Sequence, residues 1–475
     1  MKGAEDARRD GWIAAGVALL VRLAFVAWAG GRFPASGDGE FYDVLARRLA
    51  HGDGYTWLWP DGAVTNVAHY PVGYPALVAA GYALFGAHAA VAMAVNALFG
   101  AAMVLAVHAL VRPMASRRGA LAAALLVAVH PALVPYTAAV MTEGVAASLI
   151  VIAVAVARMR TERPWLAWGL AGVAMGLATL VRPQCLALAP VLGVLAPMGP
   201  ATSWGGRARA AVIVTAVTLA CCAPWTLRNC VAMKQCALVS VNGGWNLAIG
   251  TQTTNGAWQA IDVPAACRTV WDEAAKDACF AREAEGEIVR HPLAWLARAP
   301  SKIAVTLDYF GGAPWYLHLA NGEAFGDRAK VALGVVETIV CRVTLLFALF
   351  AVARADGACK RVRWGLCGVG AVFACVTYGW IAYAALALAI VAVGPRTWSR
   401  SPVTLPFTAA LLLATIATHA VFFGAGRYGL VVVPFVTVLA FARGLRGKAM
   451  PPLASESRAI SSSSASFSPA AASSS

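Results

Sequence analysis

The sequence predicts an all-α polytopic membrane protein, a bundle of about 12 transmembrane helices with two long loops on one side. Hydrophobic residues make up 60% of the 475-residue chain and charged residues only 13%, whereas a soluble domain carries about 25% charged residues. Mean hydropathy is +0.68, an apolar excess that a globular core does not absorb. The net charge of +15 is not massed in one segment. Lys and Arg recur in short clusters between apolar runs, the pattern of positive-inside membrane loops and not of a nucleic-acid-binding surface.

Apolar runs bounded by charge or by Pro and Gly place spans near 11–30, 88–110, 119–135, 143–158, 165–181, 184–198, 208–224, 331–353, 364–378, 379–394, 403–422 and 429–443. The run after the N-terminal Lys2, Arg8 and Arg9 is long for a cleaved signal and carries Arg22, so it reads as a retained first span. With that end inside, every short inside loop is basic. The clusters are Arg112, Arg117 and Arg118; Arg158, Arg160 and Arg163; Arg207 and Arg209; Arg354, Lys360, Arg361 and Arg363; Arg396 and Arg400; Arg443, Arg446 and Lys448. Both termini then face the cytoplasm. The transmembrane unit covers 1–453, and the Ser/Ala-rich stretch 454–475 is expected to be a disordered cytoplasmic tail.

Two outside loops, 31–87 and 225–330, are too long to be connections and are expected to carry function. The second holds Cys230, Cys236, Cys267 and Cys279. Of three possible connectivities the local pairs 230–236 and 267–279 suit an oxidising exterior. The other seven cysteines read as packing residues. No spacing resembles a zinc site, and a requirement for a divalent metal is left open.

Candidate chemistry gathers outside. Asp38 and Glu40 follow the first span directly, at a surface where charge is costly without a use. The segment FYDVLARRL, with Phe41, Leu45 and Leu49 at helical spacing, suits a helix lying on the interface. Next comes YPVGYP, containing Tyr70, which breaks the chain and restarts it as an apolar helix. Glu143 is expected to cap the start of its span, or to bind sugar hydroxyls or a metal. Arg182, Arg228 and Arg427 stand at outside ends of spans, against the positive-inside pattern, where a guanidinium offers two-point contact to a phosphate. His69 is expected to be structural. Arg22 should face the bundle interior, with an acid as its expected partner.

These motifs, in this order, resemble the GT-C glycosyltransferases, in the branch of the dolichyl-phosphate-mannose–protein mannosyltransferases and the aminoarabinose transferase. The resemblance is carried by GDGE and YPVGYP, by MTEG with Glu143, LVRP with Arg182, and APWTLRN with Arg228. It continues through NGGWNLAIG with Asn246 and GRYGL with Arg427 and Tyr428, so it runs from about residue 10 to 440. It implies a GT-C-like bundle and transfer of a hexose or pentose from a polyprenyl-phosphate donor to a lipid, polysaccharide or protein acceptor outside the cytoplasm. It also implies a carboxylate base in the first outside loop. Asp38 matches that base. The family's adjacent Asp-Glu is interrupted here by Gly39, so Asp38 and Glu40 stay open as alternatives. Tyr70, Glu143, Arg182, Arg228, Asn246, Arg427 and Tyr428 are the expected substrate-binding residues. The setting implied is a bacterial inner membrane with a periplasmic site. A lipid or polysaccharide flippase and an O-antigen-ligase-like enzyme are the competing readings. Few charges inside the spans speak against the first, and the early acidic loop speaks against the second.

Overall fold

The computed structural model describes residues 2–159, 161, 163–197, 203–394, 402–443 and 445. Arg160, Arg396, Arg400, Arg446, Lys448 and the tail 454–475 lie outside the described residues, as does the side chain of Lys2.

Among the described residues, six helices are long and apolar enough to cross a membrane: Arg8–Ala29, Ala89–Val111, Pro164–Val181, Trp204–Ala232, Asp327–Ala353 and Thr404–Val421. Their outer faces are apolar and open, as at Leu20, Val212 and Phe347, the arrangement of helices that meet lipid. The chain is a multi-pass membrane protein. The other six expected spans also fall on helical segments, but shorter ones: Arg117–Ala128, Glu143–Ala157, Pro183–Leu195, Lys360–Ala374, Gly379–Val393 and Gly426–Ala440. At 1.5 Å per residue, a 15-residue helix reaches only about 22 Å. Two of the short segments begin with 3₁₀ turns, at Pro183–Ala187 and Gly426–Val432, and both of these turns lie at the candidate site.

We number the helices α1 (Lys2–Ala29), α2 (Asp38–His51), α3 (Gly73–Phe85), α4 (Ala89–Val111), α5 (Arg117–Ala128), α6 (Glu143–Ala157), α7 (Pro164–Val181), α8 (Leu188–Leu195) and α9 (Trp204–Ala232). Then follow α10 (Gly243–Gln252), α11 (Glu273–Arg290), α12 (Pro292–Ala297), α13 (Ala299–Leu307), α14 (Gly312–Ala320), α15 (Asp327–Ala353), α16 (Lys360–Ala374), α17 (Gly379–Val393), α18 (Thr404–Val421) and α19 (Val433–Ala440). Among the described residues, the basic turns near Arg117, Ala358 and Arg443 are tied to neighbouring segments by hydrogen bonds. Arg117 grips Asp10 with two bonds, of 2.6 and 2.9 Å, and backbone bonds join Arg443 to Met114, Asp356 to Leu445 and Ala358 to Val393.

Arg22 is buried as expected, but its partner is not an acid. Its guanidinium donates to the carbonyls of Ala128 (2.9 Å), Val127 (3.4 Å) and Ala18 (3.3 Å). The last carbonyls of α5 have no helical partner, and they carry the negative end of its dipole.

The first outside loop folds as α2, a hairpin of β1 (Thr56–Leu58) and β2 (Val64–Asn66), and α3. The amphipathic helix read over 41–49 is part of α2. Leu45 is buried there, while Phe41 stays open and stacks on Tyr70 at 4.9 Å. The YPVGYP turn earns its glycine, because a Cβ on Gly73 would lie 2.5 Å from the Leu180 carbonyl carbon. The restart of the chain is therefore pressed against the end of α7.

The second loop divides in two. Cys267 and Cys279 are bonded between α11 and the turn before it, and Cys230 is bonded to Cys236 beyond α9. This half docks on the first loop, where Val241 N donates to Ala68 O (2.9 Å) and Ala68 N to Glu273 Oε2 (2.6 Å). The stretch from α13 to α14 turns back into the bundle instead of staying outside. α13 packs on α17 and α18, and buried Lys302 donates to the carbonyls of Ala420 and Val421. Of the cysteines read as packing residues, Cys185, Cys222, Cys341 and Cys367 are buried and Cys221 is half-buried. Cys359 and Cys375 are exposed, at the start of α16 and just beyond its end.

Candidate active site

Asp38 opens α2, where an acid suits the positive end of the helix. One of its oxygens accepts from Arg427 Nη2 at 2.6 Å and the other from the Tyr70 hydroxyl at 3.4 Å. Burial, with Asp38 beside it, pushes the Tyr70 phenol above its ordinary range, so that it stays a donor. Glu40 lies about 200° further round the helix and is exposed. The intervening Gly39 lets this turn of α2 pack closely on its neighbours. A Cβ there would sit 2.9 Å from the Tyr316 hydroxyl and 3.0 Å from the Val140 carbonyl oxygen. That same hydroxyl accepts from the backbone N–H groups of Ser36 (3.3 Å) and Val140 (3.1 Å), which fixes the start of α2.

Arg427 lies in the 3₁₀ turn before α19 and is backed by Gly312, whose missing Cβ leaves room for the Arg427 Cα 3.1 Å away. Its Nε comes within 3.3 Å of Glu143 Oε1, an ion pair without hydrogen-bond alignment. The same Glu143 oxygen accepts from Arg182 Nη1 at 2.7 Å, and the other oxygen accepts from the Tyr136 hydroxyl at 2.7 Å. Glu143 is 1% exposed. It stands in the first turn of α6, as a capping acid would, and its carboxylate is also the buried anchor of two arginines. Arg182 also donates to the Thr142 hydroxyl (3.0 Å) and to the Gln184 amide, in the orientation that satisfies both groups. Tyr428 lies between the Arg182 guanidinium, 4.7 Å from its ring centre, and His419, stacked at 4.7 Å. The Tyr428 hydroxyl accepts from Arg427 Nη2 (3.3 Å).

Five of the expected residues therefore meet in one cluster with Asp38: Tyr70, Glu143, Arg182, Arg427 and Tyr428. Arg228 does not. Its guanidinium donates to the carbonyls of Val67 (2.8 Å) and Tyr55 (2.7 Å) and to the side chains of Asn66 and Asn229, clamping the hairpin to α9. Those donors are taken by the loop, and a bracing role is expected of it. Arg228→Ala should lower the melting temperature by the equivalent of about 2 kcal/mol, an amount reduced by its partial exposure, and leave donor KM unchanged. Thermal unfolding beside a donor titration checks both.

Asn246 lies on α10, which reaches the site through Trp245 against His69 at 6.0 Å. No hydrogen bond joins the Asn246 side chain to the cluster among the described residues. His69 packs edge-on to Tyr70 at 4.9 Å, the structural place expected for it. Burial lowers its pKa below the ordinary value, against the pull of Asp277 and Asp38. The unfolded chain thus binds this proton more readily than the folded one. Stability is full above the unfolded value of about 6.5 and falls as pH drops through it. Melting of wild type and His69→Gln between neutral pH and about pH 5 should show the larger loss in wild type.

Sequence reasoning missed Tyr136, Tyr316, Gln184 and His419. Tyr136 stands seven residues before Glu143 in a run that reads as apolar, and nothing in that run marks it as a partner. Among the described residues, no three His, Cys, Asp or Glu side chains are grouped to hold a metal ion.

Residues 69–227 match the family model of the dolichyl-phosphate-mannose-protein mannosyltransferases. The match bears out the resemblance read from the motifs. It spans Tyr70, Glu143 and Arg182, and it leaves Asp38 and Arg427 outside. Among solved structures, the chain is similar to the oligosaccharyltransferase AglB from Archaeoglobus fulgidus, in complex with an inhibitory peptide and a dolichol-phosphate. That similarity has 16% identity and a TM-score of 0.42, over 90% of this chain and 50% of that one. It is also similar to ArnT from Cupriavidus metallidurans bound to undecaprenyl phosphate, with 16% identity and a TM-score of 0.39, over 91% of this chain and 77% of that one. The chain spans about half the length of the archaeal enzyme. No curated protein matches it.

Proposed function

We propose that this protein is a membrane glycosyltransferase that moves a sugar from a polyprenyl-phosphate donor to an acceptor outside the cytoplasm. The observation that carries the reading is the contact of Asp38 with Arg427 at 2.6 Å, beside Arg182, where the two outer loops meet the bundle. A carboxylate that takes a proton and guanidinium groups that hold a leaving phosphate are the two halves of an inverting transfer. The mannosyltransferase family match supports the reaction class.

Asp38 is the base in this reading. Arg427 meets the donor phosphate, because its Nη1 carries no hydrogen bond among the described residues, whereas Arg182 is held by Thr142, Glu143 and Gln184. Arg182 adds positive charge behind it. Tyr70 orients Asp38, and Tyr428 spaces the two guanidinium groups. Twelve crossings put the basic turns in the cytoplasm and this site on the periplasmic face of a bacterial inner membrane, with residues 1–453 as the transferase unit. The sugar is a hexose or pentose, and the acceptor is a lipid, a polysaccharide or a protein. The test is release of polyprenyl phosphate by the purified protein from a panel of polyprenyl-phosphate sugars. Turnover of one donor supports the reading. No turnover of any donor with lipid, glycan and peptide acceptors present would overturn it.

A further inference from the structure

We propose that the donor's phosphate releases the base: Arg427 holds Asp38 in the donor-free site and exchanges it for the phosphate, so acceptor activation waits on donor binding. The proposal rests on the function proposed above. It comes from the charge balance of the cluster. Arg182 and Arg427 face Glu143 and Asp38, two positive groups against two negative ones. A phosphodiester adds a third negative charge, and it gains the two-point hold of the Arg427 guanidinium when a resident carboxylate gives up its share.

The two carboxylates are not equally free to yield. Glu143 is 1% exposed and is held by Arg182 and Tyr136 at 2.7 Å each, so freeing it would strand a buried charge. Asp38 has 36% of its side chain exposed and is held by one guanidinium nitrogen and a longer bond from Tyr70. Asp38 is therefore the one that lets go.

The exchange changes its chemistry. Held by Arg427, its oxygen is occupied as an acceptor; released, that oxygen can accept the hydrogen bond of an acceptor O–H. In the transfer, the acceptor O–H proton passes to Asp38 as the acceptor oxygen bonds to the anomeric carbon. The bond from that carbon to the phosphate oxygen breaks, and its electron pair leaves on polyprenyl phosphate. The product's second negative charge falls to Arg427 and Arg182, so Asp38 regains Arg427 only when the product departs.

The experiment labels carboxyl groups of the full-length protein in detergent with a water-soluble carbodiimide and an amine, and reads each site by mass spectrometry. Glu40, exposed on the same helix, is the internal reference. Saturating undecaprenyl phosphate should raise Asp38 labelling about fivefold, the factor an ion pair at the strong end of exposed pairs suppresses, with Glu40 unchanged. Arg427→Gln should label Asp38 at the raised level with or without lipid. Should that variant not fold, the wild-type comparison decides alone. Lipid that raises the melting temperature yet leaves Asp38 labelling unchanged would overturn the exchange and leave the donor site standing. Lipid that neither binds nor alters labelling would overturn both.

Discussion

Asp38→Asn is expected to lower donor turnover by about 10²–10⁴-fold, the usual contribution of a general base, while donor binding tightens a few-fold because no carboxylate competes with the phosphate for Arg427. The amide keeps the volume of the side chain and still accepts from Tyr70, so the fold should persist, but it takes no proton from an acceptor. Glu40→Gln is the matched control. It lies on the exposed side of α2, about 200° round the helix from Asp38. Release of polyprenyl phosphate by the two variants, each checked for wild-type melting, separates them. An inactive Glu40→Gln beside an active Asp38→Asn would move the base to Glu40.

The second large effect is expected at Arg427. Arg427→Ala should cost about 10²–10³-fold in kcat/KM, the loss seen when one preorganised donor to a developing charge is removed. Lys keeps the charge but loses the two-point geometry, so Arg427→Lys should recover part of the loss. Both kcat and donor KM should suffer, because the phosphate is bound in the ground state and gains charge as the bond breaks. Steady-state kinetics over a donor series measures the split. Loss confined to stability, with kcat/KM per folded molecule unchanged, would make Arg427 a structural partner of Asp38 and nothing more.

Much of this site was legible because charge is conspicuous in an apolar chain. Asp38 stood out directly after a span, and Arg182 and Arg427 stood out as cations on the side where the loops are not basic. Arg228 showed the same signal and lies outside the cluster, because its partners are mostly backbone carbonyls of a loop whose path the sequence does not show. Arg22 misled for the same reason, since a helix end took the place of the expected acid. Glu143 read as a helix cap because a capping acid and a buried anchor look alike at the first position of a span. Tyr136 and His419 are hidden within apolar runs, where an aromatic residue carries no sign of the carboxylate or ring it will meet. The positions of the helices followed from hydropathy, six of them long enough to cross a membrane among the described residues. Their lengths did not, and in two of them 3₁₀ turns at Pro183–Ala187 and Gly426–Val432 break the helix where Arg182 and Arg427 reach the site.

The most direct test of the account is an experimental structure of the full chain with undecaprenyl phosphate bound. The account predicts phosphate oxygens at hydrogen-bond distance, about 3 Å, from the Arg427 guanidinium, with Asp38 turned off Arg427 and still beside Tyr70. A phosphate held elsewhere, with the Asp38–Arg427 pair intact, would contradict it.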